Sequence, residues 1–526
     1  MKLPGMKCAK DIRRMVQVKF GGMNHTKACD DGEIYDMKNL TSLYFPLLAS
    51  RPKRYLLAEL TKPNGLYGRD KLCWVDGTSF YYNGTSEGTV LDSFKTFTAL
   101  GAYIIILPDK KYYNTATDTF GDLESTYTGG VTFQDGYLFG EEAEANTVYA
   151  ANTAWSDYFR AGDAVTISGC VTHPENNKTP IVREIDDTAH TMSFYENVFT
   201  NGTEDSVTIK RTMPDMDFIC ENENRLWGCK GDTIYASKLG DPFNWNVFDG
   251  LSTDSYSVDV GSGGDFTGCV AYLGYPVFLK ENNIYKVYGN IPNNFEVMGS
   301  ATLGVREGSE FSFAVAGETL FFHTRAGIAG YTGGMPSVIA DVFGEEQYTD
   351  AVGGSDGLKY YVSMKDSAAA WHLFAYDAQK GVWHREDDSH AVAFAYAGRN
   401  LYMLASDGKL WAIGNVTSAP AGSTAESAVT WYAEFGDFTD DSPHKKGVSK
   451  ILIRAELDDG AELQADMKFD DETTWTTVKT ITAAAKQSYR IYIIPKRADR
   501  YRLKLSGTGG CRIFSVAREL CHGSDM

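Results

Sequence analysis

A strand-rich pattern that recurs about every forty residues constrains the fold of this chain more than any other feature of its sequence. Residues 224–250 show the unit: two short apolar runs, 226–229 and 233–236, are joined by Lys230-Gly231-Asp232 and followed by an aromatic turn at 240–245. This spacing predicts a β-hairpin. Because so small a sheet cannot bury its apolar face alone, we expect it to stack on copies of itself, as the blades of a β-propeller do.

Similar units follow along the chain, each with an apolar strand, a turn, a second strand, a polar turn and a third strand that carries an aromatic residue. The number of units predicts a propeller of about six or seven blades. The strong matches are residues 270–288, 313–331, 358–376 and 393–413, and weaker ones are 72–82 and 103–113.

Composition supports an all-β fold. Aromatic residues make up 13% of the 526-residue chain, and its 52 glycines lie among Asp-Gly and Asn-Gly pairs that favour tight turns between strands. No apolar run reaches the roughly 18 residues that a membrane helix needs, so we expect a soluble protein without membrane insertion.

Charge and cysteine content narrow the classes of function. The net charge is −19, which disfavours binding to DNA through its phosphates but is compatible with a conduit whose wall repels DNA. Nine cysteines without CxxC spacing fit reduced thiols in a protein assembled in a cytoplasm, although a few isolated disulfides stay open. The basic N-terminus lacks the apolar core of a secretion signal.

The first part of the chain, residues 1–54, reads as an extended N-terminal arm. Its glycine pair at 21–22, the stretch DGEIYDMKNLTSLYFPLL at 31–48 and RPKR at 51–54 resemble the N-terminal segment of bacteriophage tail proteins of the tail-nozzle or tail-tubular type. They also resemble related structural proteins in phages of gut Firmicutes. The stretch NRLWGC…IYASKLGDPFNWNVF at 224–248 resembles a blade of the same proteins.

This resemblance implies a structural virion protein that forms a ring-like part of the tail, through which DNA passes. It implies copies of the chain as partners, with a hexamer favoured, together with other tail or adaptor proteins. It also implies a place in the virion tail after synthesis in the host cytoplasm.

The repeat is interrupted after the first blades, which we assign to residues 55–118. Five or six short strands between 119 and 216 predict a small β-barrel inserted between blades, and this barrel is a candidate contact module. The remaining blades are assigned to 217–414.

A small-residue linker at 415–428 separates the repeats from residues 429–526. Seven strands there predict a C-terminal β-sandwich, whose end resembles the closing strands of jelly-roll-like domains in phage tail and baseplate proteins. We predict these strands at 430–434, 449–456, 461–469, 474–481, 489–495, 500–505 and 512–518.

Acidic motifs suggest glycosidase chemistry only weakly. Residues 469–475 partly match the aspartate box of sialidases, but Lys468 and Glu472 replace its serine and glycine, so we expect a surface hairpin. The doublets Asp387-Asp388, Asp440-Asp441 and Asp470-Asp471 cannot each form a catalytic pair, because adjacent residues of a strand point to opposite faces. We expect them on solvated faces.

Other residue patterns also have structural interpretations. His384 and His390 flank four charged residues but lack metal-site spacing, so we expect a hydrated loop. The glycine-rich 261–265 lacks a phosphate-loop lysine and is expected to be a turn between blades. Arg500, Arg502 and Lys504 alternate with apolar residues and predict a charge-protected edge strand. Trp227, Trp245, Trp371, Trp383 and Trp411 are expected to fill cores or seams rather than stack sugars.

These observations lead to a non-enzymatic tail component with no catalytic, cofactor-binding or metal residues as the expected function. The alternative is a glycan-binding or glycan-cleaving propeller protein that holds host surface glycan. A third hypothesis is a tail-tip receptor-binding protein. The glycan protein would need two carboxylates about 5 to 9 Å apart beside exposed tryptophans, and the receptor-binding protein would form trimers with exposed sandwich loops.

Overall fold

The computed structural model describes residues 12–134, 146–195, 199–438, 440, 445–482 and 486–522. Across these ranges the chain consists of β-strands with short 3-10 turns and no α-helix, which confirms the all-β prediction. Two compact units are present: unit 1 comprises residues 1–73 and 305–526, and unit 2 comprises residues 74–304. None of the described segments forms a helix long and apolar enough to cross a membrane.

The segment predicted to be an extended arm contains strands. Ile34, Met37 and Leu40 are at most 1% exposed, so this segment contributes to a core. The first five strands are β1 (Ile12–Gln17), β2 (Ile34–Lys38), β3 (Leu40–Thr41), β4 (Leu48–Ser50) and β5 (Tyr55–Glu59).

Two four-stranded antiparallel sheets follow, and each runs in simple up-and-down order. Their strands include the apolar runs that the repeat pattern located at 72–82 and 103–113. The first sheet contains β6 (Pro63–Gly68), β7 (Leu72–Asp76), β8 (Ser79–Tyr82) and β9 (Thr85–Thr89); the second contains β10 (Thr96–Leu100), β11 (Tyr103–Leu107), β12 (Lys111–Asn114) and β13 (Thr119–Asp122).

A six-stranded sheet then interrupts the repeat, and we call it the inserted sheet. Its order is β16-β19-β14-β15-β18-β17, and a bridge between Ala164 and Ile181 links the segments beside its two edge strands. Trp155 and Phe133 lie in its own buried core. The strands are β14 (Ser125–Gln134), β15 (Thr147–Tyr149), β16 (Thr166–Ser168), β17 (Val182–Asp186), β18 (Thr191–Phe194) and β19 (Gly202–Arg211).

Two more four-stranded sheets complete unit 2. The hairpin predicted around 226–236 is present, and the turn before it places Glu223 and Asn224 at φ of 51° and 60°, the positive values of a tight I′ hairpin. The strands are β20 (Phe218–Asn222), β21 (Arg225–Lys230), β22 (Thr233–Ala236) and β23 (Tyr256–Asp259), then β24 (Gly268–Tyr272), β25 (Tyr275–Leu279), β26 (Asn283–Tyr288) and β27 (Glu296–Ala301).

Three further sheets of this kind lie in unit 1. In the last of them, β5 from the N-terminal part pairs with β38, so the sheet combines distant parts of the chain. The strands are β28 (Ala314–Ala316), β29 (Thr319–Thr324), β30 (Gly327–Tyr331) and β31 (Ser337–Val338); β32 (Thr349–Ser355), β33 (Lys359–Lys365), β34 (Trp371–Asp377) and β35 (Val382–Asp387); and β36 (Ala391–Ala397), β37 (Asn400–Ala405) and β38 (Lys409–Ile413).

Neighbouring sheets contact each other through their first strands. In unit 2, β20 lies between β10 and β24, and in unit 1, β32 lies between β28 and β36, which also contacts β6. In each unit the small sheets therefore pack side by side through their first strands.

The C-terminal residues form two sheets that share one buried core with the N-terminal strands. One sheet has the order β3-β4-β46-β41-β44, with β1 also on β46, and the other has the order β2-β40-β45-β42-β43. We call this part the sandwich. Strand β39 (Thr424–Ala425) precedes the sandwich and pairs with β5 instead. The remaining strands of the sandwich are β40 (Thr430–Phe435), β41 (Lys446–Leu457), β42 (Glu462–Phe469), β43 (Thr476–Ile481), β44 (Gln487–Tyr492), β45 (Tyr501–Thr508) and β46 (Cys511–His522).

The prediction of an edge strand at Arg500, Arg502 and Lys504 is wrong. Strand β45 is interior, because it pairs with β40 on one side and β42 on the other. Arg502 binds Glu434 and Asp437, and Lys504 lies over the ring of Tyr432. The alternating basic residues therefore reflect contacts with a neighbouring strand and not protection of an edge.

The pairing of β2 with β40 predicts that residues 429–526 do not fold alone. Without the N-terminal strands, the apolar faces that pack on Ile34 and Met37 are exposed to water. We expect this fragment to aggregate by itself and to fold when co-expressed with a peptide of residues 12–54, as measured by size-exclusion chromatography and circular dichroism.

The matched controls are two substitutions in that peptide. Ile34→Ala should weaken complementation by about 2–5 kcal/mol, the usual effect of truncating a buried side chain. Val18→Ala, at a side chain that is 57% exposed, should have little effect. Cooperative folding of residues 429–526 alone would contradict the prediction.

Candidate functional site

A buried ionic cluster joins the RPKR segment to two other parts of unit 1. Arg54 Nη2 lies 2.8 Å from Glu386 Oε2, and its Nη1 lies 2.6 Å from Asp387 Oδ2. Arg51 holds Glu426 with both terminal nitrogens, at 2.8 and 2.9 Å. We call these five residues the arginine clamp.

The arginine clamp lowers the pKa of two of its carboxylates, Asp387 and Glu426. Burial tends to raise the pKa of Asp387, but the charges of Arg54 and Arg51 and a hydrogen bond from Ser389 lower it below its ordinary value. Burial also tends to raise the pKa of Glu426, but the hydrogen bond from Arg51 lowers it below its ordinary value. Carboxylates held in this way act as acceptors of ion pairs rather than as proton donors.

Asp388, the second residue of the Asp387-Asp388 doublet, follows β35 and belongs to a second ionic network. Asp388 accepts hydrogen bonds from Lys38 and Arg385, and its Oδ1 lies 3.2 Å from His372 Nδ1. Although burial opposes it, these cationic partners lower the pKa of Asp388 to about 2. Asp388 is exposed, as predicted, whereas the side chain of Asp387 is only 17% exposed, so the predicted solvated position is wrong for Asp387.

The remaining doublets are also engaged by neighbouring groups. Asp440 is buried and accepts bonds from Arg518 and from the hydroxyl of Tyr501, while Asp441 lies outside the described residues. Asp470 accepts the backbone N–H groups of residues 499 and 500, and Asp471 pairs with Arg500. These carboxylates stabilise turns and strand contacts.

The histidines that the structure describes do not converge on one site. His384 is 7% exposed and lies in β35, so the predicted hydrated loop is wrong there; the strand was missed because its apolar residues are interrupted by charges. His390 stacks on Trp371 with ring centroids 3.6 Å apart. Among the residues that the structure describes, no group of three His, Cys, Asp or Glu side chains could hold a metal ion.

A second clamp fastens the inserted sheet within unit 2. Asp163 binds Arg211 and accepts a bond from Asn244 Nδ2 at 3.2 Å, while Asn244 Oδ1 accepts the N–H of Ala164 at 2.9 Å. The guanidinium of Arg160 lies 3.3 Å from the centre of the Phe243 ring. We call this set the asparagine clamp. It gives the aromatic turn at 240–245 a structural role.

The other sequence motifs lie in connections between strands or contribute to buried cores. Residues 261–265 connect β23 to β24, and 470–475 connect β42 to β43 as a hairpin, both as predicted. Trp227, Trp245 and Trp383 are at most 3% exposed, which confirms their predicted core positions. Trp371 and Trp411 are partly exposed.

The cavities at these positions are small. One of about 100 Å³ borders the arginine clamp and is lined by Lys359, Lys380 and Asp377, among others. Another, of about 120 Å³, lies beside Arg306 and His323. In unit 2, about 60 Å³ is enclosed near Asn222, Tyr275 and Phe295. Each offers room for a few water molecules.

The cysteine thiols of the described side chains are all free. Those at positions 73, 170, 220, 229, 269 and 511 are buried, and the Sγ atoms of Cys220 and Cys269 are 3.0 Å apart. Burial raises the pKa of Cys269 well above its ordinary value. Such thiols behave as packing groups and not as nucleophiles.

Comparison with known proteins gives no family. No family model matches the chain, and no curated protein matches it. Among solved structures, PorZ, a surface component of the type-IX secretion system of Porphyromonas gingivalis, is 10% identical over 87% of this chain and 77% of PorZ, with a TM-score of 0.26.

Two glycoside hydrolases are also matched. An exo-β-1,3-galactanase from Phanerochaete chrysosporium is 9% identical over 57% of this chain and 94% of the enzyme, with a TM-score of 0.21. A family 43 arabinoxylan arabinofuranohydrolase from Bacillus subtilis is 9% identical over 89% of this chain and 96% of the enzyme, with a TM-score of 0.18.

The prediction that the chain is not an enzyme is contradicted by the presence of these glycoside hydrolases among the matched structures, and we withdraw it. At such identities and TM-scores, none of the matches assigns a substrate or partner to this chain. The three matched proteins are not phage tail proteins.

Sequence reasoning missed both clamps. The signals were present, since Arg51 and Arg54 lie in a motif and Asp163 follows a glycine, but their partners are more than 45 residues away in the sequence. Only the fold brings these residues together.

The arginine clamp predicts a large and specific loss of stability in an Arg54→Ala variant. Truncation leaves the buried Glu386 and the partly buried Asp387 without their main cation, and stranding a buried charge costs about 3–5 kcal/mol. Denaturant unfolding monitored by tryptophan fluorescence measures the change. Lys27→Ala, which breaks an ion pair exposed by more than 85% on both sides, should change stability by less than about 1 kcal/mol. Equal effects of the two variants would contradict this assignment.

A pH dependence follows from the buried histidines of unit 1. Burial lowers the pKa of His323 to about 4 and that of His384 to about 3. The unfolded chain takes up these protons near pH 6.5 and the folded chain does not, so the stabilisation is complete above pH 6.5 and is lost as pH falls toward 4. For His323 the loss is about 2 kcal/mol by pH 5.

The variant His323→Gln should flatten this slope between pH 7.5 and 5, as measured by urea unfolding at several pH values. Ser309→Ala is the control, since it removes the hydroxyl 3.0 Å from His323 Nδ1 but no histidine. It should lower stability while retaining a slope. An unchanged slope in His323→Gln would show that this residue does not contribute.

Proposed function

We propose that the chain is a structural subunit of a bacteriophage tail, assembling with copies of itself into a ring-like part of the nozzle or tail end. The observation that carries this proposal is that residues of the two tail-like motifs form contacts that hold parts of the protein together. The two stretches that resemble tail proteins supply Arg51 and Arg54 of the arginine clamp and Phe243 and Asn244 of the asparagine clamp. In both, the motif fastens parts of the body.

The connection between chain ends supports the same proposal. Because β1 to β4 lie in the sandwich, pulling on either terminus loads a sheet with many backbone hydrogen bonds. The linker predicted at 415–428 is also tied down, since β39 pairs with β5 and Arg51 holds Glu426. A body built in this way suits a part that must keep its shape in an assembly.

A finer architecture belongs to this proposal. We infer that the six four-stranded sheets and the sheet β36-β37-β38-β5-β39 are seven blades of a β-propeller, with β5 closing the last one. The inserted sheet is inferred to be a small barrel, supported by the bridge between Ala164 and Ile181. DNA passing through the assembled lumen, and adaptor or tail proteins as neighbours, complete the proposal.

A second candidate is recognition or cleavage of host surface glycan. The observation that favours it is the cavity beside Tyr275, a ring that is 37% exposed and lies 4.8 Å from the ring of Tyr288. Asn222, Glu223 and Asn290 also line this cavity. Aromatic faces beside amide and carboxylate groups are the usual elements of a small polar ligand site.

Two measurements test the proposals. Mass photometry of the recombinant chain should show closed oligomers, and antibodies against it should label the tail end of virions that carry its coding sequence. A chain that stays monomeric and is absent from particles would overturn the structural proposal. Turnover or binding of cell-wall polysaccharide that is lost in Tyr275→Ala would then favour the glycan candidate.

A further inference from the structure

We propose that copies of this chain join head to tail, with a basic edge of the sandwich from one copy docking on the acidic inserted sheet of the next. The basic edge consists of Arg454, Lys486, Arg490, Tyr492 and Ile494. This inference rests on the proposed structural function and specifies the surface through which the ring would form.

The basic edge is open. Within the described part of the chain, β44 pairs on one side with β41 and has no strand on its other side. Tyr492 is 73% exposed and Ile494 is 92% exposed, so two large apolar side chains lie at this edge in water. Open strand edges with exposed apolar residues are sites where another chain docks.

The charges at this edge are also uncompensated. Arg490 lies opposite Leu452 and Arg454 opposite Ser488, so both arginines occupy the same outer face of the sheet. Both are exposed, and neither has an ion-pair partner among the described residues. Lys486 lies nearby, with Nζ 4.1 Å from the ring centre of Phe514. The edge therefore offers cations to an outside partner.

The chain itself supplies a partner of opposite charge. Residues 119–216 contain 16 acidic and 5 basic residues, a net charge of −11, whereas residues 429–526 contain 15 of each. More than half of the total net charge of −19 thus lies in residues 119–216 of the sequence. Charge complementarity of this kind selects partners and speeds their encounter.

Several of these acids are accessible. Asp157, Glu184 and Asp205 are exposed, and their carboxylates have no partner in the ranges that the structure describes. Glu184 lies on β17 of the inserted sheet. Because the two surfaces differ, the copy at one end of an open assembly has a free basic edge and the copy at the other end has a free acidic surface. A ring forms when these two meet, as in other heterologous interfaces.

Charge reversal tests the contact in the full chain. The variants Arg454→Glu/Arg490→Glu and Glu184→Lys/Asp205→Lys should each raise the dissociation constant of the oligomer about tenfold or more in mass photometry. A 1:1 mixture of the two variants, or all four substitutions in one chain, should restore assembly. The control Lys230→Glu/Arg325→Glu changes the same charge at exposed cations outside the basic edge and should assemble as the unsubstituted chain does.

The outcomes separate this inference from the proposed function. If the unsubstituted chain stays monomeric, the proposed ring assembly itself fails. If it assembles and both reversed variants assemble equally well, only the head-to-tail contact is overturned. Loss of assembly in both variants without rescue in their mixture also overturns it, because the two surfaces then act separately. Circular dichroism of each variant identifies any that fails to fold.

Discussion

The buried pairing of Arg54 with Glu386 and Asp387 is the interaction on which the organisation of unit 1 depends. It brings the end of the N-terminal segment, a strand of a small sheet and, through Arg51, the linker residue Glu426 to one point. Arg51, Arg54 and Glu386 are at most 5% exposed, so each needs its partner. The sandwich therefore cannot separate from the neighbouring sheet without exposing unpaired charges.

The same solution occurs in unit 2, where Asp163 and Asn244 hold the inserted sheet. In both places a short polar motif closes a contact between parts of the chain that are distant in sequence. The cavity beside Tyr275 is the place where the second candidate function would bind a glycan.

Local patterns predicted much of the fold. The alternation of apolar residues located the hairpin at 226–236 and all seven C-terminal strands, because strand period and turn residues are local properties. It missed β2 and the interior position of β45, since pairing is decided by distant residues. The alternating basic residues around Arg502 have the pattern of an edge strand, and only the fold shows that Arg502 pairs with Glu434 of the neighbouring strand. The clamps were hidden for the same reason: ion pairs join residues that the sequence separates.

Hydrogen–deuterium exchange of the full chain tests the central claim, that the two chain ends form one body, most directly. If the N-terminal strands are part of the sandwich, amides of β2 and of its partner β40 open together and share one protection level close to that of β46. Exchange of β2 within seconds, while β40 and β46 remain protected for hours, would show a loose arm and contradict the account.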